Sequence, residues 1–269
     1  MDEWLKTVAL GAVEGVTEFL PISSTGHLLV ASRLLSFSES LGGTFEVFIQ
    51  FGAVLAVLAF YAADLLRQAQ GVARDPRVRH FWLSVAIAFL PAAVLGLLLR
   101  DFIKGALFTS PAVIAWSFII GGLVLIGVEL LPRPTPVTNE TLEVSWPQAI
   151  AVGFAQVLAL VPGVSRSGAS IVGGLLVGLD RPAATAFSFY LAIPTLGAAT
   201  VYELARSLSS LRSNDLLFLV VGTAVAAIVA GTAIRWLLRY VAHHTFVPFG
   251  VYRLVAGATL LALLATGRL

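Results

Sequence analysis

The sequence lacks cysteine and is poor in charged residues. Its 269 residues include no cysteine, which excludes disulfides, thiolate chemistry and cysteine-ligated metal sites. Charged residues make up 12% and hydrophobic residues 58% of the chain, whereas soluble proteins average about 25% and 45–50%. The hydrophobic residues are spread along the whole length rather than concentrated in one anchor. The composition therefore predicts a protein that lies in the lipid bilayer.

The small net charge of +2 does not indicate a nucleic-acid partner, because the arginines lie mostly between apolar segments. Charges in such loops set membrane orientation. The loop after the first long apolar segment carries Arg67, Arg74, Arg77 and Arg79. If that loop is cytoplasmic, both termini lie outside, although basic residues on the other side weaken this assignment.

Six segments are apolar for about 20 residues each, the length that crosses roughly 30 Å of hydrocarbon. We predict spanning helices at residues 44–64, 81–99, 111–131, 182–205, 216–238 and 247–266.

Four further apolar pieces are too short or too charged to be independent spans. They lie near residues 4–20, 27–37, 147–161 and 169–180. They form two pairs, and each pair is interrupted by a tip rich in Pro, Gly and Ser. A re-entrant helical hairpin fits both pairs, because irregular backbone at membrane depth must be buried in protein or line a wet cavity. Ordinary spans joined by polar loops are the alternative.

An internal repeat relates the two halves. Adding 142 to a residue number maps Gly11 to Gly153 and Ser23 to Ser165 without a gap. Each half contains one hairpin and three spans, and this odd number of crossings places the second half upside down relative to the first. We therefore predict an all-α polytopic membrane protein with six transmembrane helices and two re-entrant hairpins. Residues 1–131 form the first repeat, 132–145 a linker and 146–269 the second, inverted repeat of a single membrane domain.

Two carboxylates precede the first tip. Glu14 and Glu18 are four residues apart, so on a helix they share one face, where like charges are destabilising. This pair predicts a cation beside it, either a divalent metal or an arginine. The alternative is that both side chains face water outside the membrane.

Hydroxyl residues follow the first tip. Ser23, Ser24 and Thr25, followed by Gly26 and His27, begin a helix whose free N–H groups can bind phosphate. Simple N-capping is the alternative for one of the hydroxyls. His27 lies away from the predicted interfaces and close to a candidate nucleophile, which favours catalysis over a structural role.

An arginine lies in the second tip. Arg166 stands between Ser165 and Ser167, just before Gly168. An arginine at membrane depth needs an anionic partner, and its planar fork matches a phosphate. A static ion pair with Glu14 or Glu18 is the alternative.

Three polar residues inside predicted spans, Glu46, Gln50 and Arg253, could complete the cluster or pair with one another. Two carboxylates, hydroxyls, a histidine and an arginine at two helix starts together fit phosphoryl transfer, in which positioning and charge neutralisation supply most of the catalysis.

Two motifs carry a family resemblance. Residues 14–27 read EGVTEFLPISSTGH and residues 162–170 read PGVSRSGAS. The chain resembles the undecaprenyl-diphosphate phosphatases, also called bacitracin-resistance proteins, over essentially its whole length. The resemblance implies two interlocked inverted repeats with a site between the tips. It also implies hydrolysis of C55 polyprenyl diphosphate to the monophosphate and inorganic phosphate, which recycles a cell-wall lipid carrier.

The resemblance also implies residue roles. Glu14 and Glu18 match the acidic motif, Ser24 the nucleophile, His27 an essential histidine and Arg166 a phosphate-binding arginine. We expect Mg²⁺ or Ca²⁺ on Glu14 and Glu18. Ser170 stands where the family usually has Thr, and retains the hydroxyl. The expected substrate contacts are Ser23, Thr25, Gly163, Ser165, Ser167, Gly168, Ser170, Glu46, Gln50 and Arg253.

The mechanism and some assignments stay open at this point. Ser24 would attack the terminal phosphorus, activated by His27 or Glu18, with His27 or water as alternative nucleophiles. The rival functions are a polyprenyl-phosphate flippase or transporter and a phosphatase of soluble substrates. We expect a multi-pass protein of the bacterial inner membrane, a site open to the periplasmic side and no nucleic-acid partner. A homodimer is one of the oligomeric states the sequence leaves open.

Overall fold

The computed structural model describes residues 2–37, 44–107, 110–130, 136–138, 140–207 and 213–267. Within these ranges the chain is helical and forms no β-strand. Part of the predicted linker, residues 132–135 and 139, lies outside the described residues. The division into repeats at residues 131 and 146 stays a prediction.

Twelve helices follow one another in the described part of the chain. They are α1 (Glu3–Thr17), α2 (Ser24–Leu34), α3 (Thr44–Phe60), α4 (Ala62–Gly71), α5 (Pro76–Leu98), α6 (Arg100–Phe102), α7 (Pro111–Leu130), α8 (Trp146–Val157), α9 (Arg166–Leu176), α10 (Arg181–Ser207), α11 (Ser213–Val241) and α12 (Val247–Ala265).

Five of these helices are long and apolar enough to cross a membrane. They contain the segments Pro76–Leu98, Pro111–Leu130, Arg181–Glu203, Leu216–Val241 and Val247–Ala265. A sixth crossing is formed if α3 and α4 count as one span, although they are bent by 67° relative to each other. The chain is therefore an all-α, multi-pass membrane protein, as predicted.

The bend differs from the straight span predicted over residues 44–64. It falls at Tyr61, whose backbone leaves the helical region at φ −95° and ψ 13°. The Tyr61 ring is buried, with its centroid 4.5 Å from that of Tyr190. After this residue the chain becomes polar, with Asp64, Arg67 and Gln68 in α4. These polar side chains do not favour a continuation of the apolar helix α3 through hydrocarbon.

Two helix pairs are too short to span. Helices α1, α2, α8 and α9 have 15, 11, 12 and 11 residues, and even 15 residues rise only about 22 Å. Each pair is joined by a tip whose last residue is a serine with positive φ, 72° at Ser23 and 79° at Ser165. Positive φ is uncommon outside glycine. Each serine side chain accepts a hydrogen bond from the N–H three residues later, so positions related by the repeat form the same cap.

Each hairpin packs against the other half of the chain. Helix α1 lies against α11, and α8 lies against α5. Glycine permits both contacts: a Cβ on Gly11 would lie 2.7 Å from the carbonyl oxygen of Gly222, and one on Gly153 would lie 2.7 Å from that of Ala88. These contacts interlock the halves. Their upside-down relation stays a prediction.

Candidate active site between the two tips

The first tip brings a carboxylate and a hydroxyl together. Glu18 follows the last residue of α1, and Ser24 is the first residue of α2. The hydroxyl of Ser24 donates a hydrogen bond to Oε2 of Glu18. Both side chains are buried. A serine whose hydroxyl donates to a carboxylate has the acceptor that a nucleophilic hydroxyl needs for its proton.

The second tip adds a guanidinium to this pair. Arg166, the first residue of α9, donates from Nη2 to Oε1 of Glu18 at 3.0 Å and from Nη1 to the carbonyl oxygen of Ser188 at 2.9 Å. Its guanidinium carbon lies 5.8 Å from the centre of the Phe19 ring, within reach of a cation–π contact. The structure thus brings Glu18, Ser24 and Arg166 into one chain of contacts.

Glu14 lies beside this group without a hydrogen bond of its own. It is fully buried, and neither carboxylate oxygen has a hydrogen-bond partner among the described residues. The charges that act on it are those of Glu18, Arg166 and Glu46. A buried ionised carboxylate is very unfavourable unless it is paired or binds a metal. Glu14 therefore has free oxygens for a cation.

Glu14 and Glu18 are too few to hold a divalent cation by protein groups alone, so an ion such as Mg²⁺ or Ca²⁺ would need further ligands from substrate or water. Among the described residues, no three His, Asp or Glu side chains cluster as a metal site. Mg²⁺ is commonly held by one or two carboxylates together with substrate phosphates and water. The unpartnered oxygens of Glu14 next to Glu18 fit such an ion.

His27 is engaged away from Ser24. Its Nδ1 lies 2.7 Å from the carbonyl oxygen of Ser23, and its Nε2 lies 2.6 Å from the hydroxyl of Tyr252. A carbonyl can only accept, so Nδ1 carries the proton and Nε2 accepts from the tyrosine. The ring also stacks on Tyr252, with centroids 5.6 Å apart. In this arrangement neither ring nitrogen is free to take a proton from Ser24.

Arg253 holds the backbone of both tips. Its guanidinium is 1% exposed and donates to five carbonyl oxygens. These belong to Pro21 in the first tip, Gly163 and Val164 in the second, and Ser117 and Phe118 in α7. All five N–H donors of this arginine are therefore used inside the protein. Arg253 connects α12 to both hairpins.

A cavity of about 510 Å³ opens beside the tips, within the range of roughly 300–1,000 Å³ found for small-molecule sites. It extends along α5 to Arg100 and along α10 to Glu203, where Arg100 Nη2 donates to both carboxylate oxygens at 3.3 and 3.2 Å. Its walls are otherwise mostly small or apolar. The predicted residues that line it are Glu18, Ser23, Ser24, Thr25, Gln50, Gly163, Ser165 and Arg166.

Other predicted contacts lie outside the cavity walls. Ser167 donates to the carbonyl oxygen of Leu20 at 2.9 Å and so joins the two tips. Ser170 donates to the carbonyl oxygen of Arg166 at 2.8 Å and lies 2.7 Å from the Ser188 hydroxyl. Glu46, Gly168, His27, Glu14 and Arg253 are likewise not among the lining residues.

Sequence reasoning missed several polar residues of the cavity. Gln156, Thr195, Arg100 and Glu203 all line it. Gln156 is the repeat partner of Glu14, and Glu203 is a carboxylate inside an apolar segment. The repeat position of Gln156 and the carboxylate of Glu203 are visible in the sequence, but the sequence does not show that these side chains line the same cavity.

Together, the fold and the two tips define a multi-pass membrane protein with a buried cluster of Glu18, Ser24 and Arg166 between two short helical hairpins. Residues 7–259 match the sequence model of the family described as bacitracin resistance protein BacA. Proteins named undecaprenyl-diphosphatase from two strains of Cereibacter sphaeroides are each 45% identical to this chain over 263 residues, covering 98% of this chain and 97% of theirs. The chain belongs to the bacitracin-resistance protein family.

Proposed function

We propose that this protein hydrolyses undecaprenyl diphosphate to undecaprenyl phosphate and inorganic phosphate. The observation that carries the proposal is the contact chain from Ser24 through Glu18 to Arg166, which faces a cavity in a membrane protein. The similar proteins named undecaprenyl-diphosphatase support it. The product is the monophosphate form of a cell-wall lipid carrier, and its regeneration accounts for bacitracin resistance.

The arrangement favours Glu18 over His27 as the base. Ser24 already donates its proton to Glu18, whereas both ring nitrogens of His27 have other partners. As Ser24 Oγ forms its bond to the terminal phosphorus, its proton passes to Glu18. The bond from this phosphorus to the bridging oxygen breaks, and undecaprenyl phosphate leaves with that oxygen. Water then hydrolyses the phosphoserine and releases inorganic phosphate.

Arg166 stabilises the charge on the transferred phosphoryl group. The Nε of Arg166 has no partner among the described residues, so it can donate to a substrate oxygen. A second substrate oxygen can displace Glu18 from Nη2 of the same guanidinium. Such electrostatic stabilisation supplies much of the catalysis in phosphoryl transfer. A Mg²⁺ or Ca²⁺ ion on Glu14 and Glu18, when bound, would neutralise further charge on the diphosphate. The tip contacts from Ser23, Thr25, Gly163, Ser165 and Gln50 would position the same group.

Phosphate release in detergent tests the proposal. We expect turnover of C55 diphosphate by the wild type and loss of about 10² or more in kcat for Glu18→Gln, Ser24→Ala and Arg166→Ala, since each removes a base, nucleophile or charge clamp. Acid quenching should trap a phosphoserine at Ser24 in the wild type. Near-normal turnover by Ser24→Ala would assign the attack to His27 or water.

A polyprenyl-phosphate flippase is the alternative function, because interlocked hairpins with broken helices also occur in transporters. Detergent abolishes sealed compartments, so a pure transporter would release no phosphate there. The Ser24 hydroxyl contacts the Glu18 carboxylate, which in turn contacts the Arg166 guanidinium, and this arrangement favours the enzyme.

The cellular setting is part of the same proposal. We place the protein in the bacterial inner membrane with its site open to the periplasmic side, as the arginine-rich loop after the first span suggests. Labelling of single introduced cysteines from outside intact cells tests this orientation, since the chain has none of its own. A homodimer stays a prediction that light scattering in detergent would measure.

A further inference from the structure

Gln156 is a buried polar side chain with unused hydrogen-bonding capacity. It is 1% exposed, and its Nε2 has no partner among the described residues. The hydroxyl of Thr195 shares its one proton between Oε1 of Gln156 at 3.5 Å and the carbonyl oxygen of Leu191 at 2.8 Å. A buried N–H group without an acceptor is destabilising. The unpartnered Nε2 of Gln156 can be satisfied by an acceptor on a bound ligand.

Gln156 lines the same cavity as Arg166, whose side chain also has an unpartnered N–H donor. Arg166 Nε is also buried without a partner, and both residues line the same space together with Ser24 and Thr195. Two unsatisfied donors on residues that line one cavity suit a ligand with several acceptor oxygens. A diphosphate provides two groups of such oxygens.

The nucleophile and the unpartnered amide come from different hairpins. Ser24 comes from the first hairpin, whereas Gln156 lies near the end of α8 in the second. In-line attack requires the leaving oxygen to lie opposite the nucleophile. Arg166 begins α9, after the second tip, whereas Gln156 lies in α8, before it, so the two donors can contact different phosphates. With Arg166 at the transferred group, Gln156 is left for the phosphate that departs with the lipid.

The repeat supports an uncharged donor at this position. Gln156 occupies the place that Glu14 holds in the first half. A carboxylate there would repel a phosphate, whereas an amide can turn its NH₂ group toward one without adding charge.

We infer that Gln156 binds the lipid-linked phosphate of the substrate, and so distinguishes a diphosphate from a single phosphate. This inference rests on the proposed function and adds a second phosphate subsite to it. Thr195 positions the amide from α10.

Competitive inhibition separates the two phosphates. Methylenediphosphonate occupies both subsites, and inorganic phosphate needs only the one beside Arg166. In C55 diphosphate hydrolysis, we expect Gln156→Ala to raise KM and the inhibition constant of methylenediphosphonate by about ten-fold each, the effect of one lost hydrogen bond to an anion. The inhibition constant of inorganic phosphate should change less than two-fold. Gln156→Glu should raise both diphosphate constants further, because it introduces repulsion.

Gln148 provides a matched control on the same helix. It is also buried, but its amide contacts Thr138, Ser145 and the carbonyl oxygen of Val177. Gln148→Ala should lower the melting temperature without changing the ratio of the two inhibition constants.

Two results would overturn the inference: unchanged inhibition by methylenediphosphonate in Gln156→Ala, or an equal rise for both inhibitors. Failure of the wild type to hydrolyse C55 diphosphate would instead contradict the proposed function. The two failures are therefore distinguishable in one set of assays.

Discussion

Glu18 and Arg166 form an ion pair with 3.0 Å between Oε1 and Nη2, although they lie 148 residues apart in different hairpins. Both side chains are less than 10% exposed. Removal of one partner from a buried pair leaves the other charge uncompensated. The contact therefore links catalysis to the correct meeting of the two hairpins.

The histidine contacts predict a positioning role for His27. We expect His27→Ala and Tyr252→Phe to lower kcat by about ten-fold each, the effect of one lost hydrogen bond near the tip. The shape of the kcat/KM profile against pH should be the same in both variants as in the wild type, because His27 is not the base. If His27 is the base instead, the acid limb of the profile should vanish in His27→Ala.

The unpartnered carboxylate predicts a metal effect at Glu14. Glu14→Gln should raise the Mg²⁺ concentration for half-maximal activity by at least about ten-fold, because second-shell and ligand losses at metal sites commonly have effects of this size. In metal-free buffer its melting temperature should equal or exceed that of the wild type, since a buried carboxylate has been neutralised.

Glu143, an exposed carboxylate, gives the control for this measurement. Glu143→Gln should change neither the Mg²⁺ dependence nor the melting temperature. An unaltered Mg²⁺ titration in Glu14→Gln would remove Glu14 from the set of proposed ligands.

The contacts of Arg253 predict a loss of stability on conservative replacement. A lysine has three N–H donors where arginine has five, so Arg253→Lys loses at least two of the five hydrogen bonds to backbone carbonyls. We expect the melting temperature to fall by roughly 5 °C or more, with a parallel loss of activity. Arg235→Lys, at an exposed position on α11, should show neither effect in the same thermal assay.

The close approach of α8 and α5 predicts a strong effect of one methyl group. Gly153→Ala would place a Cβ 2.7 Å from the carbonyl oxygen of Ala88, and such overpacking is typically destabilising by about 1–3 kcal/mol. Gly231→Ala adds the same group where nothing lies within 4 Å. The melting temperature in detergent should fall for Gly153→Ala and stay unchanged for Gly231→Ala. Equal melting temperatures would contradict the tight contact.

The sequence predicts the crossing helices and the two hairpins well. Runs of about 20 apolar residues mark the spans, and the paired tips around Ser23 and Ser165 are visible through the offset of 142. An arginine and a carboxylate at membrane depth each need a partner of opposite charge, which predicts that they pair, and Arg166 does contact Glu18. These features follow from local composition and from the high energy of isolated charge in lipid.

Side-chain direction is what the sequence could not supply. Arg253 was expected near the substrate, yet all its donors are directed to backbone carbonyls. The partner of His27 is Tyr252, 225 residues away, and no local pattern encodes that distance. The Tyr61 ring at the bend likewise contacts Tyr190, a residue far away in the sequence.

The anchoring of both tips by Arg253 has a consequence for biosynthesis. This arginine belongs to α12, the last helix of the chain, and α1 rests against α11, which is also made late. A ribosome-bound chain that has inserted only its first four crossings would still lack Arg253, which holds the carbonyl groups of Pro21, Gly163 and Val164 in the two tips. The enzyme would thus acquire its competence late, once translation has delivered the final helix to the bilayer.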